Sequence, residues 1–131
     1  MATVLIVDDE STPREAGRAV LRQVLGCDVL TAESGEQGLE AAATHPVDAL
    51  VVDVRLPDMS GLDLLRELRG RGIAAPAVVI TAYCAVFDAR EAVERAQELG
   101  ISAFFTKPFS VDELVAAIRQ VLDARAAVEP T

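Results

Sequence analysis

The stretch Val51-Val52-Asp53-Val54-Arg55-Leu56-Pro57-Asp58-Met59-Ser60-Gly61 decides how the rest of the chain is arranged. It begins as the end of an apolar run, residues 49–52, whose length and β-branched content are typical of a strand buried on both faces. The run stops at the carboxylate Asp53, and the residues after it are rich in turn formers. Asp53 is therefore predicted to lie where a buried strand opens into a loop. In open parallel α/β sheets, ligands bind at the carboxyl ends of strands, so this position is a candidate site.

The same alternation of strand and helix extends through the whole chain. Apolar, β-branched segments predict five strands, at residues 4–7, 28–32, 49–52, 77–81 and 101–105. Helical spacing and capping sequences predict five helices, at about residues 13–25, 35–44, 61–69, 86–99 and 111–122. Short links and hydrophobic strands predict an α/β domain. Its parallel sheet has helices on both faces and right-handed crossovers.

The ends and the buried face of the first helix follow from its local sequence. Thr12 is the expected capping residue, Pro13 occupies the first helical position, and Gly26 ends the helix. Two further capping boxes begin at Ser34 and Ser110. The side chains expected to face the core from the first helix include Ala16, Ala19, Val20 and Val24.

Length and composition limit the protein's class and location. The 131 residues suffice for one domain, predicted as residues 1–125, with residues 126–131 as a tail or the start of a linker. A net charge of −9 argues against direct binding to nucleic acid. No apolar run approaches the roughly 20 residues that span a bilayer, and the start of the chain lacks a signal-peptide pattern. With two cysteines expected to be reduced, these features predict a cytoplasmic protein.

Polar residues follow four of the five predicted strands. They are Asp8-Asp9, Asp53, Thr81 and Lys107. Parallel strands bring these ends to one edge of the sheet, where clustered carboxylates repel one another unless a cation offsets them. Mg²⁺ binds one or two carboxylates and keeps several waters, while an ammonium and a hydroxyl suit a phosphoryl group. The pattern therefore predicts phosphoryl transfer to an aspartate, assisted by Mg²⁺.

Each of these motifs also has a simpler interpretation. Acidic residues stabilise a helix start, an aspartate favours a turn, and a loop lysine is usually solvated. Four such coincidences at four strand ends are much less probable than one site, so the joint interpretation is preferred.

In this order, the residues resemble the receiver domain of two-component response regulators, over Thr3 to about Arg125. The motifs that carry the resemblance are Ile6-Val7-Asp8-Asp9-Glu10, Asp53-Val54-Arg55-Leu56-Pro57-Asp58-Met59-Ser60-Gly61, Ile80-Thr81-Ala82 and Thr106-Lys107-Pro108-Phe109. The resemblance implies a flavodoxin-like (βα)5 fold, a doubly wound, five-stranded parallel sheet with strand order 2-1-3-4-5.

The resemblance also implies a phosphorylation site and a metal site. Asp53 would be the phosphoacceptor. Asp8 and Asp9, together with Asp53 and the backbone carbonyl of Arg55, would hold Mg²⁺, with Mn²⁺ as an alternative.

The resemblance also implies roles for Thr81, at the end of the fourth strand, and for three residues in or just after the fifth strand, Phe104, Lys107 and Pro108. Thr81 would bond a phosphoryl oxygen, and Lys107, joined to Pro108 by a cis peptide, would form an ion pair with it. On phosphorylation Thr81 would move inward and Phe104 would turn. The face formed by the fourth helix, fifth strand and fifth helix would then change. Thr81 and Lys107 are 26 positions apart, roughly four residues or about one helical turn more than usual for the family, with the excess expected within residues 84–96.

The leading functional hypothesis is a signalling switch that catalyses only its own phosphorylation and dephosphorylation. Its partners would be a histidine kinase or phosphotransfer protein, and an effector protein, a fused output domain or a second copy of itself. A phosphohydrolase is disfavoured, because Arg55 occupies the usual position of a general-acid aspartate and the chain has no room for a cap domain. A phosphorylation-independent docking module is disfavoured because every expected site residue is present.

Overall fold

A computed structural model describes residues 2–81, 94, 97–106 and 109–128. The strands are β1 (Thr3–Val7), β2 (Asp28–Ala32), β3 (Ala49–Asp53), β4 (Ala77–Thr81) and β5 (Ile101–Thr106). The helices with complete bounds are α1 (Ser11–Leu25), α2 (Gly35–Thr44), α3 (Gly61–Gly70) and the C-terminal helix (Val111–Val128). Most of the helix predicted at residues 86–99 lies outside the described residues, although Glu94 and residues 97–99 are helical.

The five strands form one parallel sheet in the order β2-β1-β3-β4-β5, as the family resemblance implied. Val7 of β1 pairs with Val52 of β3, and Asp53 pairs with Ile80 of β4. The carboxyl ends of β1, β3 and β4 are therefore neighbours, so the order of the strands brings the predicted site residues to one edge.

Apolar side chains cover both faces of the sheet, because all five residues of β3 and of β4 are buried. On one face, Leu50 and Val52 belong to a core with Leu64, Leu65 and Leu68 of α3. The core on the other face includes Val4, Ile6, Val51, Leu21, Leu114 and Ile118. The continuous apolar runs in the sequence are thus the double-sided burial expected of central parallel strands.

The start of α1 differs from the prediction. The helix begins at Ser11, and its N-cap is Glu10, whose side chain makes no capping hydrogen bond. Thr12, the expected cap, is instead an exposed residue within the first turn. The reason is that the acidic turn leads directly into the helix, since an Asp8 carboxylate oxygen accepts the Glu10 N–H at 2.9 Å.

The buried face of α1 also differs from the prediction, whereas its end does not. Its buried residues are Arg14, Gly17 and Leu21, while Ala16, Ala19 and Val24 are exposed and Val20 is half-buried. Gly17 faces inward because the helix lies close to the sheet: a Cβ there would meet the Ile6 side chain at 3.3 Å. As predicted, Gly26 ends the helix, with φ at 66°.

The C-terminal helix begins at the predicted residue, Val111, but extends beyond the predicted end at about residue 122. The Ser110 hydroxyl accepts the Asp112 N–H at 3.1 Å, which satisfies one of the free donors at the start of the helix. The helix continues to Val128 and so includes residues that the sequence assigns to a tail. Neither it nor any other described helix is long and apolar enough to cross a membrane.

Candidate functional site

A cluster of carboxylates lies at the carboxyl edge of the sheet. Oxygen atoms of Asp8, Asp9, Glu10 and Asp53 all lie within 4.8 Å of one another. Asp8 and Asp53 are buried, with only 3% and 4% of their surface exposed, whereas Asp9 and Glu10 are exposed. The structure thus brings together the three predicted carboxylates and adds Glu10. The sequence motif contained Glu10 without a role, and its position beside the acidic pair was the available signal.

Backbone hydrogen bonds fix the two buried carboxylates. Asp8 lies just after β1, and one of its carboxylate oxygens accepts the Glu10 N–H at 2.9 Å. One Asp53 carboxylate oxygen accepts the Arg55 N–H at 2.9 Å. Each carboxylate is therefore held by the turn that follows its own strand.

Backbone hydrogen bonds attach the turn after Asp53 to β4 and join the two ends of the turn. The Val54 N–H donates to the Ile80 carbonyl at 2.8 Å, and the Val54 carbonyl accepts the Gly61 N–H at 2.8 Å. Gly61 lies so close to β3 that a Cβ at this position would overlap the carbonyl oxygen of Asp53. A glycine is thus required here by close approach of two backbone segments, since Gly61 does not have a positive φ.

The residues present fit a hard divalent cation. All four donors are carboxylates, the ligand type that Mg²⁺ prefers, and such a concentration of negative charge is offset best by a cation. Asp9, Glu10, Asp53 and Arg55 line a cleft of about 270 Å³. A water molecule occupies about 30 Å³ in the liquid, so the cleft has room for a partly hydrated ion and a phosphoryl group.

Thr81 and the fifth strand complete the described part of this edge. Thr81 is buried at the end of β4, one residue beyond Ile80, the register partner of Asp53. Thr81 pairs with Thr106, the last residue of β5. Phe104 is half-buried and packs against the core that includes α3. Lys107 and Pro108 lie outside the described residues, so the predicted ion pair and cis peptide stay predictions.

Asp58, assigned by the sequence only to a turn, joins this loop to α2. Its two carboxylate oxygens accept the N–H groups of Gly35 and Glu36, at 2.8 and 2.9 Å. These two hydrogen bonds are the main reason that the pKa of Asp58 is lowered from its ordinary value, because they favour the ionised form. The bonds also satisfy free donors at the start of the helix, where a negative charge is stabilised.

We expect the Asp58 contacts to make the protein's stability depend on acidity. Because the folded-state pKa lies below the ordinary 3.8, the contribution of Asp58 is fully present above that value. It is lost as the pH falls through the folded-state pKa. The free energy of unfolding of the natural chain, measured by denaturant titration, should therefore exceed that of Asp58→Asn at pH 7 and pH 5. The difference should shrink below pH 3.8. A difference that stays constant with pH would show that the ionised carboxylate is not what matters.

A family model for the response regulator receiver domain matches residues 4–119. The chain belongs to this family. Receiver domains are signalling switches of two-component systems rather than enzymes in the ordinary sense, and phosphorylation is their general mode of control.

Individual relatives agree with the family assignment. The transcriptional regulatory protein KdpE of Mycobacterium tuberculosis is 42% identical over 119 residues, which are 91% of this chain and 50% of the relative. The receiver domain of the Francisella response regulator 1452 is 26% identical with a TM-score of 0.84, covering 95% of this chain and 99% of that one. The chain spans about half the length of the curated relatives it matches.

A further solved structure contains a bound metal. The response regulator TrrA of Thermotoga maritima, solved in complex with Mg(2+)-BeF, is 28% identical with a TM-score of 0.78. The match covers 93% of the present chain and 100% of the TrrA chain.

Proposed function

We propose that this receiver accepts a phosphoryl group on Asp53, with Mg²⁺ bound beside it, and passes the signal on through a change at its surface. The observation that carries the proposal is the carboxylate cluster, in which the buried Asp53 lies within 4.8 Å of three other carboxylates. Burial of a carboxylate among like charges is unfavourable unless a cation offsets them, and such an arrangement is typical of a functional site, which supports binding of a cation and a phosphoryl group at Asp53.

The proposed roles within the site are those that the receiver family implies for these positions. Asp8, Asp9, Asp53 and the backbone carbonyl of Arg55 are the proposed ligands of Mg²⁺ or, in its place, Mn²⁺. Bound there, the cation would offset the carboxylate charges and the charge on the phosphoryl oxygens.

In the proposed reaction an Asp53 carboxylate oxygen forms a bond to phosphorus as the bond between phosphorus and the donor breaks. The product is an acyl phosphate on Asp53 and a donor without its phosphoryl group. The Thr81 hydroxyl would donate to a phosphoryl oxygen, and the Lys107 ammonium would pair with its charge.

Thr81 and Phe104 are the proposed link from the site to the surface. Thr81 is the last residue of β4. Phe104 of β5 pairs with Val79, which lies two residues before Thr81 in β4. Inward movement of Thr81 would let the half-buried Phe104 turn, which would alter the face formed by β5, the helix before it and the C-terminal helix. Phe104 has no hydroxyl, so its effect on a partner would depend on packing.

The proposed phosphodonor is a histidine kinase or phosphotransfer protein, and the altered face would bind an effector protein, a fused output domain or a second copy of the chain. A role in gene regulation would then be indirect. The net charge of −9 disfavours direct contact between this receiver and nucleic acid.

The proposal is tested by measuring the intact mass of the chain after incubation with a small acyl-phosphate donor. We expect one added phosphoryl group in the presence of Mg²⁺ and none after chelation of the metal. The adduct should be released by hydroxylamine, which cleaves an acyl phosphate but not a phosphate ester. No adduct under any of these conditions, nor with a histidine kinase supplied, would contradict the phosphoacceptor role and favour a docking module.

A further inference from the structure

The turn of residues 33–36, which consists of the two residues after β2 and the first two residues of α2, is joined by hydrogen bonds to both loops that carry the proposed metal ligands. Unlike β1, β3 and β4, β2 contributes no polar residue from its end to the described part of the site. The turn after it is nevertheless connected through Arg14 to the loop after β1, residues 8–10, and through Asp58 to the loop after β3, residues 54–60. Two independent sets of hydrogen bonds join these loops to the turn.

The first set runs through Arg14, which is buried although it is charged. Its guanidinium donates to the backbone carbonyl of Asp8 at 2.9 Å and to the Glu33 carboxylate at 3.2 Å. Only 10% of the Arg14 side chain is exposed, whereas 63% of the Glu33 side chain is. Arg14 therefore attaches the acidic loop to the first residue of the turn.

The second set runs through Asp58, whose carboxylate accepts the Gly35 and Glu36 N–H groups. Next to it, the Met59 side chain packs so closely on Gly35 that a Cβ on Gly35 would overlap it. The loop after β3 is thereby attached to the other end of the same turn.

We propose that the turn of residues 33–36 positions the cation site by holding the two ligand loops at a fixed separation. Arg14 and Asp58 are the positioning residues. Carboxylates of like charge repel one another, so loops that carry them tend to separate before a cation binds. Contacts that hold ligands in place before binding raise affinity, and loss of such supporting contacts commonly weakens metal binding about 10- to 100-fold. This inference depends on the cation site of the proposed function.

The test is a calorimetric titration of the full chain with Mg²⁺ alone, which gives a dissociation constant independent of phosphorylation. Asp58→Ala should raise the dissociation constant about tenfold. Asp58→Asn, which keeps one acceptor oxygen, should raise it less and provides a milder variant should Asp58→Ala fail to fold.

Ser34→Ala is the matched control for Asp58→Ala. The Ser34 hydroxyl accepts the Gln37 N–H at 3.2 Å and so caps the same helix, but it makes no hydrogen bond to either ligand loop and is not one of the two proposed positioning residues. Its loss should lower the free energy of unfolding and leave the dissociation constant for Mg²⁺ unchanged. An equal rise in the dissociation constant for both variants would mean that the stability of α2 is what matters, and would overturn the proposal.

Substitution of Arg14 gives a second test, because simple electrostatics and a positioning role predict opposite changes in the affinity for Mg²⁺. Removing a positive charge near a cation site should by itself strengthen cation binding. We expect Arg14→Gln to weaken it instead, because Asp8 loses its attachment to Glu33, and Arg14→Lys to recover part of the loss. Stronger binding in Arg14→Gln would contradict a positioning role.

The outcomes also separate this proposal from the one on which it depends. If the natural chain binds no Mg²⁺, the cation site is wrong and the positioning role fails with it. If the natural chain binds Mg²⁺ and Asp58→Ala binds it equally well, the cation site stands and the positioning role alone is wrong.

Discussion

Asp53→Asn is expected to take up no phosphoryl group under conditions in which the natural chain takes up one. The amide nitrogen is not a nucleophile at neutral pH, and the loss of one negative charge weakens binding of the cation. The variant should nevertheless fold, because its amide oxygen can still accept the Arg55 N–H that Asp53 accepts at 2.9 Å. In metal-free buffer it should unfold at the same temperature as the natural chain or a higher one, since one of four clustered charges is gone. Intact mass and a thermal melt on the same sample check both expectations.

Asp63→Asn is the control for this loss of phosphorylation. Asp63 is an exposed carboxylate in the first turn of α3, paired with Arg66 at 3.1 Å and away from the cluster. This variant should be phosphorylated as the natural chain is. Full phosphorylation of Asp53→Asn would place the acceptor on another residue, and loss of phosphorylation in Asp63→Asn would mean that the assay responds to charge alone.

Much of the fold could be predicted because the strands are marked twice, by β-branched apolar runs and by the polar residues that end them. β3 and β4 have both signals and were predicted closely. The alternation of strands and helices implies a parallel sheet, but the strand order came from the family resemblance. The face of α1 was predicted wrongly because small apolar residues are spread around it. The helix buries Arg14 rather than the apolar Val24, which is 51% exposed. Hydrophobic periodicity carries no information about a buried arginine.

The site was predictable to the extent that it depends on strand ends. Asp8, Asp9 and Asp53 come together because β1 and β3 are neighbours in the sheet. The contacts around them were not predictable. Asp58 bonds to Gly35 across 23 positions, and Arg14 pairs with Glu33 across 19, with no local pattern that marks either pair. Such contacts depend on how the loops pack in three dimensions.

Gly61→Ala is expected to destabilise the protein and disturb the site together. Gly61 is the first residue of α3, and an added Cβ would overlap the carbonyl oxygen of Asp53 and come within 2.8 Å of a Val52 methyl. The carbonyl belongs to a central strand buried on both faces, so it cannot move aside as the end of a flexible side chain would. Overpacking of this kind typically costs about 1–3 kcal/mol, which exceeds the gain of up to about 1 kcal/mol from replacing a helical glycine with alanine.

Gly70→Ala, at the other end of the same helix, is the matched control for Gly61→Ala. A Cβ on Gly70 meets nothing within 4 Å, so this variant should be as stable as the natural chain or more stable by up to about 1 kcal/mol. Denaturant unfolding of both variants, with the rate of phosphorylation by an acyl-phosphate donor, tests the difference. Gly61→Ala should be phosphorylated more slowly and should also be less stable, because relief of the overlap must shift either Asp53 or the start of α3. If Gly61→Ala matched Gly70→Ala in stability and rate, α3 would not lie as close to the Asp53 backbone as the structure has it.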